Sequence, residues 1–173
     1  GSEMCIRDRM CHAVGVSVEA ELGAVGGDEG GALYGHADES LFTDPMLARD
    51  FVDRTGIDAL AVAIGNAHGK YKGEPKLDFP RLDAIRQQAA IPLVLHGGSG
   101  ISDDDFRRAI ELGIHKINFY TGMSQAALAA VESRMANRQS LYDEFAELLL
   151  GIEEAITDTV SEQMRIFGSA GQV

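Results

Sequence analysis

The feature that most constrains this chain is a repeated alternation of strand and helix. Residues 14–22 (VGVSVEAEL) set Val16, Val18, Ala20 and Leu22 against Ser17, Glu19 and Glu21, a period of two that predicts a strand. Thr43-Asp44-Pro45 opens a helix: a polar cap, then a proline whose missing N–H costs nothing in the first turn. Leu47, Phe51 and Val52 share one face of that helix, and Gly56 ends it. Residues 59–64 (ALAVAI) form an unbroken apolar run, as expected for a strand buried on both faces of a parallel sheet. Pro80 opens a short helix with Leu82 and Ile85 inward, and residues 91–95 (IPLVL) give the third strand. Ser102 caps the next helix, with Asp105 in the capping-box position and Phe106, Ala109 and Ile110 facing inward. Gly113 ends it, and residues 114–119 (IHKINF) are the fourth strand. Further helices are predicted over residues 126–135 and 141–167. The second carries Leu141, Phe145, Leu148, Leu149, Ile152, Ile156, Val160, Met164 and Phe167 at three- and four-residue steps, with Gly151 as a break.

Strands and helices in strict alternation, joined by short linkers, mean an α/β fold built on a parallel sheet. Four such units match half of a (β/α)8 TIM barrel, whose whole is roughly 250 residues. A flavodoxin-like sheet is the competing arrangement. Residues 1–9 (GSEMCIRDR) fit neither pattern: they are polar, aperiodic and uncapped. MCIRD resembles a translated sequencing adapter, so residues 1–9 are expected to be a non-native leader. Residues 10–173 are then a partial barrel domain, with a natural disordered N-terminus as the alternative.

Composition excludes several classes. No run of about 18 apolar residues exists, which argues against a transmembrane helix and a membrane partner. Asp plus Glu number 27 against 15 Lys plus Arg, a formal charge of −12, so a nucleic-acid partner is not expected. Aromatic residues are 6% with no Trp, too few for rows of base-stacking side chains. Cys5 and Cys11 both lie near one end, so no disulfide framework is implied and a cytoplasmic location fits.

In barrels and open α/β sheets alike, ligands bind beyond the C-terminal ends of the strands. Four successive strands each present polar groups there. Glu21, Asp28 and Glu29 follow the first; Gly65-Asn66-Ala67-His68-Gly69 follows the second; His96-Gly97-Gly98-Ser99-Gly100 follows the third; Asn118 and Thr121 follow the fourth. Either His68 or His96 alone reads best as a core imidazole bonded to a backbone carbonyl. The pair on adjacent strand ends, with Glu21 alongside, points to a shared metal ion, and zinc is the usual partner of imidazole. His12, His36 and His115 read as structural or solvated. Gly97-Gly98-Ser99-Gly100, ahead of a helix start, is a candidate phosphate cradle, although such turns are often mere linkers. Asn118 and Thr121 would complete it, or else serve as a strand amide and a helix cap. Glu29 sits in a Gly-rich stretch, residues 23–35, that is too long for a turn. A carboxylate there can enter a closed site as a general acid or base, against the bland alternative of solvated loop charge. Lys70 and Lys72 are near enough in sequence to approach a phosphate, with surface lysine as the default.

Taken together, VEAELGAVGGDEG, AVAIGNAHGKYKGEPKLDF, IPLVLHGGSGI and KINFYTGMSQA resemble the class II, metal-dependent ketose-bisphosphate aldolases, a group that includes fructose- and tagatose-bisphosphate aldolases. The likeness runs from about Met10 to the end, including FGSAG, with several long motifs in the right order. It implies that the chain is the C-terminal half of a zinc TIM barrel. The enzyme it implies cleaves a ketose 1,6-bisphosphate reversibly to dihydroxyacetone phosphate and an aldehyde. By motif, His68 and His96 match zinc-binding histidines, and Glu21 matches a glutamate that also contacts the metal. Glu29 matches the loop glutamate that moves protons at the dihydroxyacetone carbon. Gly69, Gly97, Ser99, Asn118 and Thr121 match positions lining the dihydroxyacetone phosphate pocket. A monovalent cation near the phosphate site and a homo-oligomeric full-length protein are further expectations. Two departures stand out. The family's early Asp followed by a further zinc-binding His has no counterpart here, and Tyr120 stands where many members carry Asp or Asn. The rival readings are another phosphosugar lyase or epimerase on the same fold, and a catalytically silent half-barrel that binds metal or phosphate.

Overall fold

The computed structural model describes residues 3–27, 39–69, 73, 75–137 and 145–172. Two compact units make up the chain, Gly1–Asn118 and Phe119–Val173.

The first unit runs α1 (Glu3–His12), β1 (Glu19–Leu22), β2 (Gly26–Gly27), a 3-10 turn (Glu39–Leu41), α2 (Pro45–Thr55), β3 (Ala59–Val62), β4 (Ala67–His68), α3 (Phe79–Ala89), β5 (Leu93–Leu95), α4 (Asp103–Glu111) and β6 (Ile114–Ile117). Its main sheet has the order β1-β3-β5-β6, and every pair in it is parallel. Each neighbouring pair is joined through a helix, as parallel pairing requires. The central strands are the driest part of the molecule: Leu60, Ala61, Val62, Leu93, Val94 and Leu95 are fully buried. Leu82 and Ile85 of α3 and Phe106 and Ala109 of α4 are buried with them. This is the four-stranded α/β arrangement of half a (β/α)8 barrel.

The helix boundaries follow local chemistry. The Asp44 carboxylate accepts from Met46 N–H at 2.7 Å and from Leu47 N–H at 3.3 Å, satisfying two orphan donors of α2. Gly56 ends that helix at φ 73°, a left-handed conformation that suits glycine. The α4 cap is Ser102, whose hydroxyl accepts from Asp105 N–H at 3.2 Å. Helix α3 starts at Phe79, one residue ahead of Pro80, because the Asp78 carboxylate already caps it by accepting from Arg81 N–H.

Some expectations need correction. Residues 3–9, in which the sequence pattern shows neither period nor cap, are helical as part of α1, and Asp8 is buried there. The strand expected from residue 14 begins only at Glu19. Val14 and Val16 are exposed because Val14, Gly15 and Val16 donate back to Cys11 and His12, closing the end of α1 instead of entering the sheet. In α2 the inward residue is Ala48, whereas Leu47 is exposed.

In the second unit α5 (Thr121–Ala136), α6 (Phe145–Leu148) and α7 (Ile152–Ile166) are helical, with Gly151 separating the last two as expected. Helix α5 starts five residues earlier than its sequence pattern indicates. Ile166 is the buried residue of α7, and Met164, expected on the inward face, is exposed. Leu141 lies outside the described residues. Among the described residues no helix is long and apolar enough to cross a membrane.

Candidate metal centre

Strand register brings the site together. Glu21 of β1 is paired with Ala61 of β3, and Ala61 with Val94 of β5. Residues in register across parallel strands share a face, and the next residue on that face of β5's strand direction is His96. A Glu21 side chain therefore passes over the short, fully buried Ala61 to the imidazole: Glu21 Oε2 lies 3.0 Å from His96 Nδ1. His68, at the end of β4, completes the group. The donor atoms of Glu21, His68 and His96 all lie within 4.8 Å of one another, and the two imidazole centroids are 5.8 Å apart with planes at 62°.

Two further charges close on the same histidine. Glu19 Oε1 lies 3.0 Å from His96 Nε2, and Lys116 Nζ donates to Glu19 Oε2 at 2.7 Å. Glu19 precedes Glu21 by two on β1, so both carboxylates stand on one face of the sheet. His96 is consequently held between two carboxylates. The hydrogen bond to Glu21 raises the histidine's pKa above its ordinary value; burial opposes this, and Glu19 adds to it. The same His96 contact lowers the Glu21 carboxyl against the effect of burial. Burial pushes Glu19 upward, but Lys116 and His96 together outweigh it and hold that carboxyl low.

Backbone packing fixes both histidines. Asn66 is buried, and its side chain spans the gap between their strands. Its Oδ1 accepts from Ile64 N–H at 2.8 Å, while Nδ2 donates to Val62 C=O at 3.2 Å and to His96 C=O at 3.0 Å. Gly97 follows at φ 67°, and a Cβ there would stand 2.1 Å from the Ala67 carbonyl oxygen and 3.1 Å from His68 N. The two histidine segments are thus in near-contact through a position that only glycine fits. Thr43 performs a similar task between β1 and β3, donating its hydroxyl to Leu22 C=O at 2.6 Å and accepting from Ala63 N–H at 2.8 Å.

The other expected site residues fall as follows. Gly69 directly follows β4 at φ 80°. Ser99 lies in the turn after β5, and Ile101 N–H closes that turn on Gly98 C=O. Asn118 N–H donates to Leu95 C=O at 2.9 Å, and its own C=O accepts from Gly98 N–H at 3.3 Å, so the backbone of Asn118 stitches the GGSG turn to the end of β6. Thr121 is the first residue of α5, in the second unit; the cap position is Tyr120 and makes no side-chain capping bond. Glu29, Asp28, His36, Lys70 and Lys72 lie outside the described residues. His12 pairs with Asp58 at 2.8 Å, and His115 Nδ1 lies 2.7 Å from Gly113 C=O, both exposed. Glu19 and Lys116 lie within the motifs quoted from the sequence without being singled out by them, and Asn66 stands there only among the polar groups after the second strand. The period-two pattern of residues 14–22 does place Glu19 and Glu21 on one face, which is the signal that was available.

The donor set suits a divalent metal. Two imidazole nitrogens and one carboxylate oxygen are a familiar three-ligand complement for catalytic zinc, which leaves one position open. The donor atoms, all within 4.8 Å of one another, stand near enough to serve one ion. The direct His96–Glu21 bond is the contact that a cation would replace.

The fold that carries this cluster at the C-terminal ends of its parallel strands has relatives among known proteins. Residues 8–172 match the family model for fructose-bisphosphate aldolase class-II, and the chain belongs to that family. Among curated proteins it is 47% identical over 161 residues to the fructose-bisphosphate aldolase of Geobacillus stearothermophilus, covering 93% of this chain and 55% of that one. It is 44% identical over 162 residues to the uncharacterized protein YdjI of Escherichia coli K12, with 93% and 55% covered. The crystal structure of the YdjI aldolase superposes with a TM-score of 0.80 at 40% identity, over 98% of this chain and 56% of that chain. A putative fructose-1,6-bisphosphate aldolase from Coccidioides immitis gives 0.81 at 28% identity, with 98% and 58% covered. The chain spans about half the length of the relatives it matches.

Proposed function

We propose that this chain supplies the zinc centre and the dihydroxyacetone phosphate side of a class II ketose-bisphosphate aldolase. The observation that carries the reading is the convergence of Glu21, His68 and His96 within 4.8 Å. His68 and His96 would hold the metal, with Glu21 as an additional ligand. Zinc, when bound, supplies a Lewis acid that polarises the ketose carbonyl. Gly69, Gly97 and Ser99 would surround the phosphate of the three-carbon fragment with backbone groups, and Asn118 and Thr121 would orient its hydroxyls. Three aspartates in the first turn of α4 already occupy the favourable field of that helix start. The phosphate reading therefore rests on the glycine turn rather than on the helix end.

Glu29 is the proposed proton carrier at the dihydroxyacetone carbon. Support comes from the VEAELGAVGGDEG motif, in which Glu29 matches the family's loop glutamate, and whose Gly27 pairs with His68 in the minor sheet. A fructose or tagatose 1,6-bisphosphate is the substrate class. A monovalent cation beside the phosphate and homo-oligomeric assembly of the whole protein belong to the same reading, as does a cytoplasmic location.

The test has two arms. Zinc uptake by the chain should fall sharply in a His68→Ala/His96→Ala variant, and equal uptake by both would remove the metal centre from this site. The whole protein, assayed with both ketose bisphosphates before and after chelation, should lose cleavage on chelation and regain it with zinc. Retained cleavage without metal would exclude the class II reading.

A further inference from the structure

Glu19 is not one of the three donors, yet both its oxygens are engaged at the centre. Oε1 lies 3.0 Å from His96 Nε2, and Oε2 accepts from Lys116 Nζ at 2.7 Å. An ionised carboxylate only accepts, so each ring nitrogen meets its glutamate through a proton: Nε2 toward Glu19 and, when the ring carries both protons, Nδ1 toward Glu21. The other nitrogen, Nδ1, faces Glu21, which belongs to the donor group. A metal held by the three donors would displace the Nδ1 proton and leave the Nε2–Glu19 bond in place. Glu19 comes from β1 and Lys116 from β6, the two outer strands; Lys116 is in register with Val94, Ala61 and, through them, Glu21, so its bond to Glu19 runs diagonally across the face of the sheet. A histidine ring tied at one nitrogen in this way has its tautomer and rotation settled before a metal arrives.

We propose that Glu19, held by Lys116, is a positioning residue that fixes the His96 ring with Nδ1 offered to the metal. This rests on the zinc reading above. The ordinary alternative is a half-exposed charge pair at a sheet face, which would leave metal binding unchanged.

The chain, labelled with 15N at histidine, is compared with Glu19→Ala, Glu19→Gln, Lys116→Met and the Glu19→Ala/Lys116→Met double variant. Circular dichroism and urea midpoints establish that each is folded. Co(II) binding is followed by its visible absorption, and zinc by competition with a chromophoric chelator. Glu19→Ala should weaken both ions about 10- to 100-fold, the usual cost of losing a ligand's outer partner. Glu19→Gln keeps an acceptor oxygen and should recover most of that loss. Lys116→Met should produce a smaller loss that disappears in the Glu19→Ala background. At a pH where the ring carries a single proton, long-range proton–nitrogen spectra should show His96 protonated at Nε2 with and without metal, and a mixed tautomer in Glu19→Ala. Metal affinity within about twofold of the parent, with an unchanged His96 tautomer, would overturn the proposal. If the parent chain takes up no Co(II) or zinc, the metal reading fails. The metal-free spectra then decide by themselves whether Glu19 holds the ring.

Discussion

Asn66 Nδ2 donates to the carbonyl of His96 at 3.0 Å and so ties the segment before one histidine to the backbone of the other. The same side chain satisfies Ile64 N–H and Val62 C=O in a buried setting. Asn66→Ala leaves all three backbone groups without that partner. At about 1–3 kcal/mol for a buried group left unpaired, with partial relaxation, the expected loss of stability is roughly 2–4 kcal/mol. Urea unfolding of the chain measures it, and a loss below about 1 kcal/mol would mean that water or neighbours replace the amide with ease.

Gly97→Ala should be among the most damaging single-methyl changes in the chain. The added carbon would stand 2.1 Å from the Ala67 carbonyl oxygen, at φ 67°, so the segments carrying His68 and His96 must separate. A folded variant is expected to bind zinc at least tenfold more weakly than the parent, in line with displacement of first ligands or their supports. Gly73→Ala, where a Cβ meets nothing within 4 Å among the described residues, serves as the control and should be silent.

The His96 cluster gives the metal-free chain a defined pH response. The histidine is raised above its ordinary 6.5, so its contribution is full below that value and is lost as pH rises through the folded-state value. Glu19 and Glu21 are lowered from 4.5, so theirs is present above that value and lost as pH falls through the folded-state values. The gap in urea midpoint between the chain and His96→Gln should therefore be widest between about 4.5 and 6.5 and narrow on both sides. A gap that grows steadily toward alkaline pH would contradict the ion-pair geometry.

Glu29→Gln in the whole protein should lower kcat far more than it raises KM. A general acid–base group contributes roughly 10²- to 10⁴-fold to the rate and little to ground-state binding. Steady-state kinetics in the cleavage direction decide the matter, and a near-parental kcat would return Glu29 to the status of loop charge.

The 173-residue chain assayed alone is expected to hold zinc weakly and to show no cleavage of fructose 1,6-bisphosphate. It offers two histidines and one glutamate to a metal, and it lacks the Asp-His pair that the family resemblance calls for. The order β1-β3-β5-β6 also leaves β1 and β6 as outer strands, open to pairing with another copy. Clear turnover by the purified chain would show that the catalytic set is complete within it.

Local chemistry in the sequence was sufficient for the helix starts at Asp44 and Ser102, the stop at Gly56 and the apolar strands around Leu60 and Val94. Caps, periodicity and glycine conformations act among residues a few positions apart. The same logic located Glu21, His68 and His96, because each sits at the C-terminal end of a strand and parallel strands present those ends together. It misassigned Val14 and Val16, whose backbone is taken up by the end of α1, and it had no basis for choosing Ala48 over Leu47 as the buried side chain of α2. The contacts that join Glu19, Lys116 and Asn66 to His96 were not legible, although Asn66 stands among the strand-end polar groups. Glu19 lies 77 positions from His96 and 97 from Lys116, and Asn66 lies 30 positions from the His96 carbonyl it holds. Those contacts depend on the register of four parallel strands, each separated from the next by a helical crossover. A one-residue slip would turn Glu19 to the opposite face, so only the assembled sheet decides which charges meet the histidine.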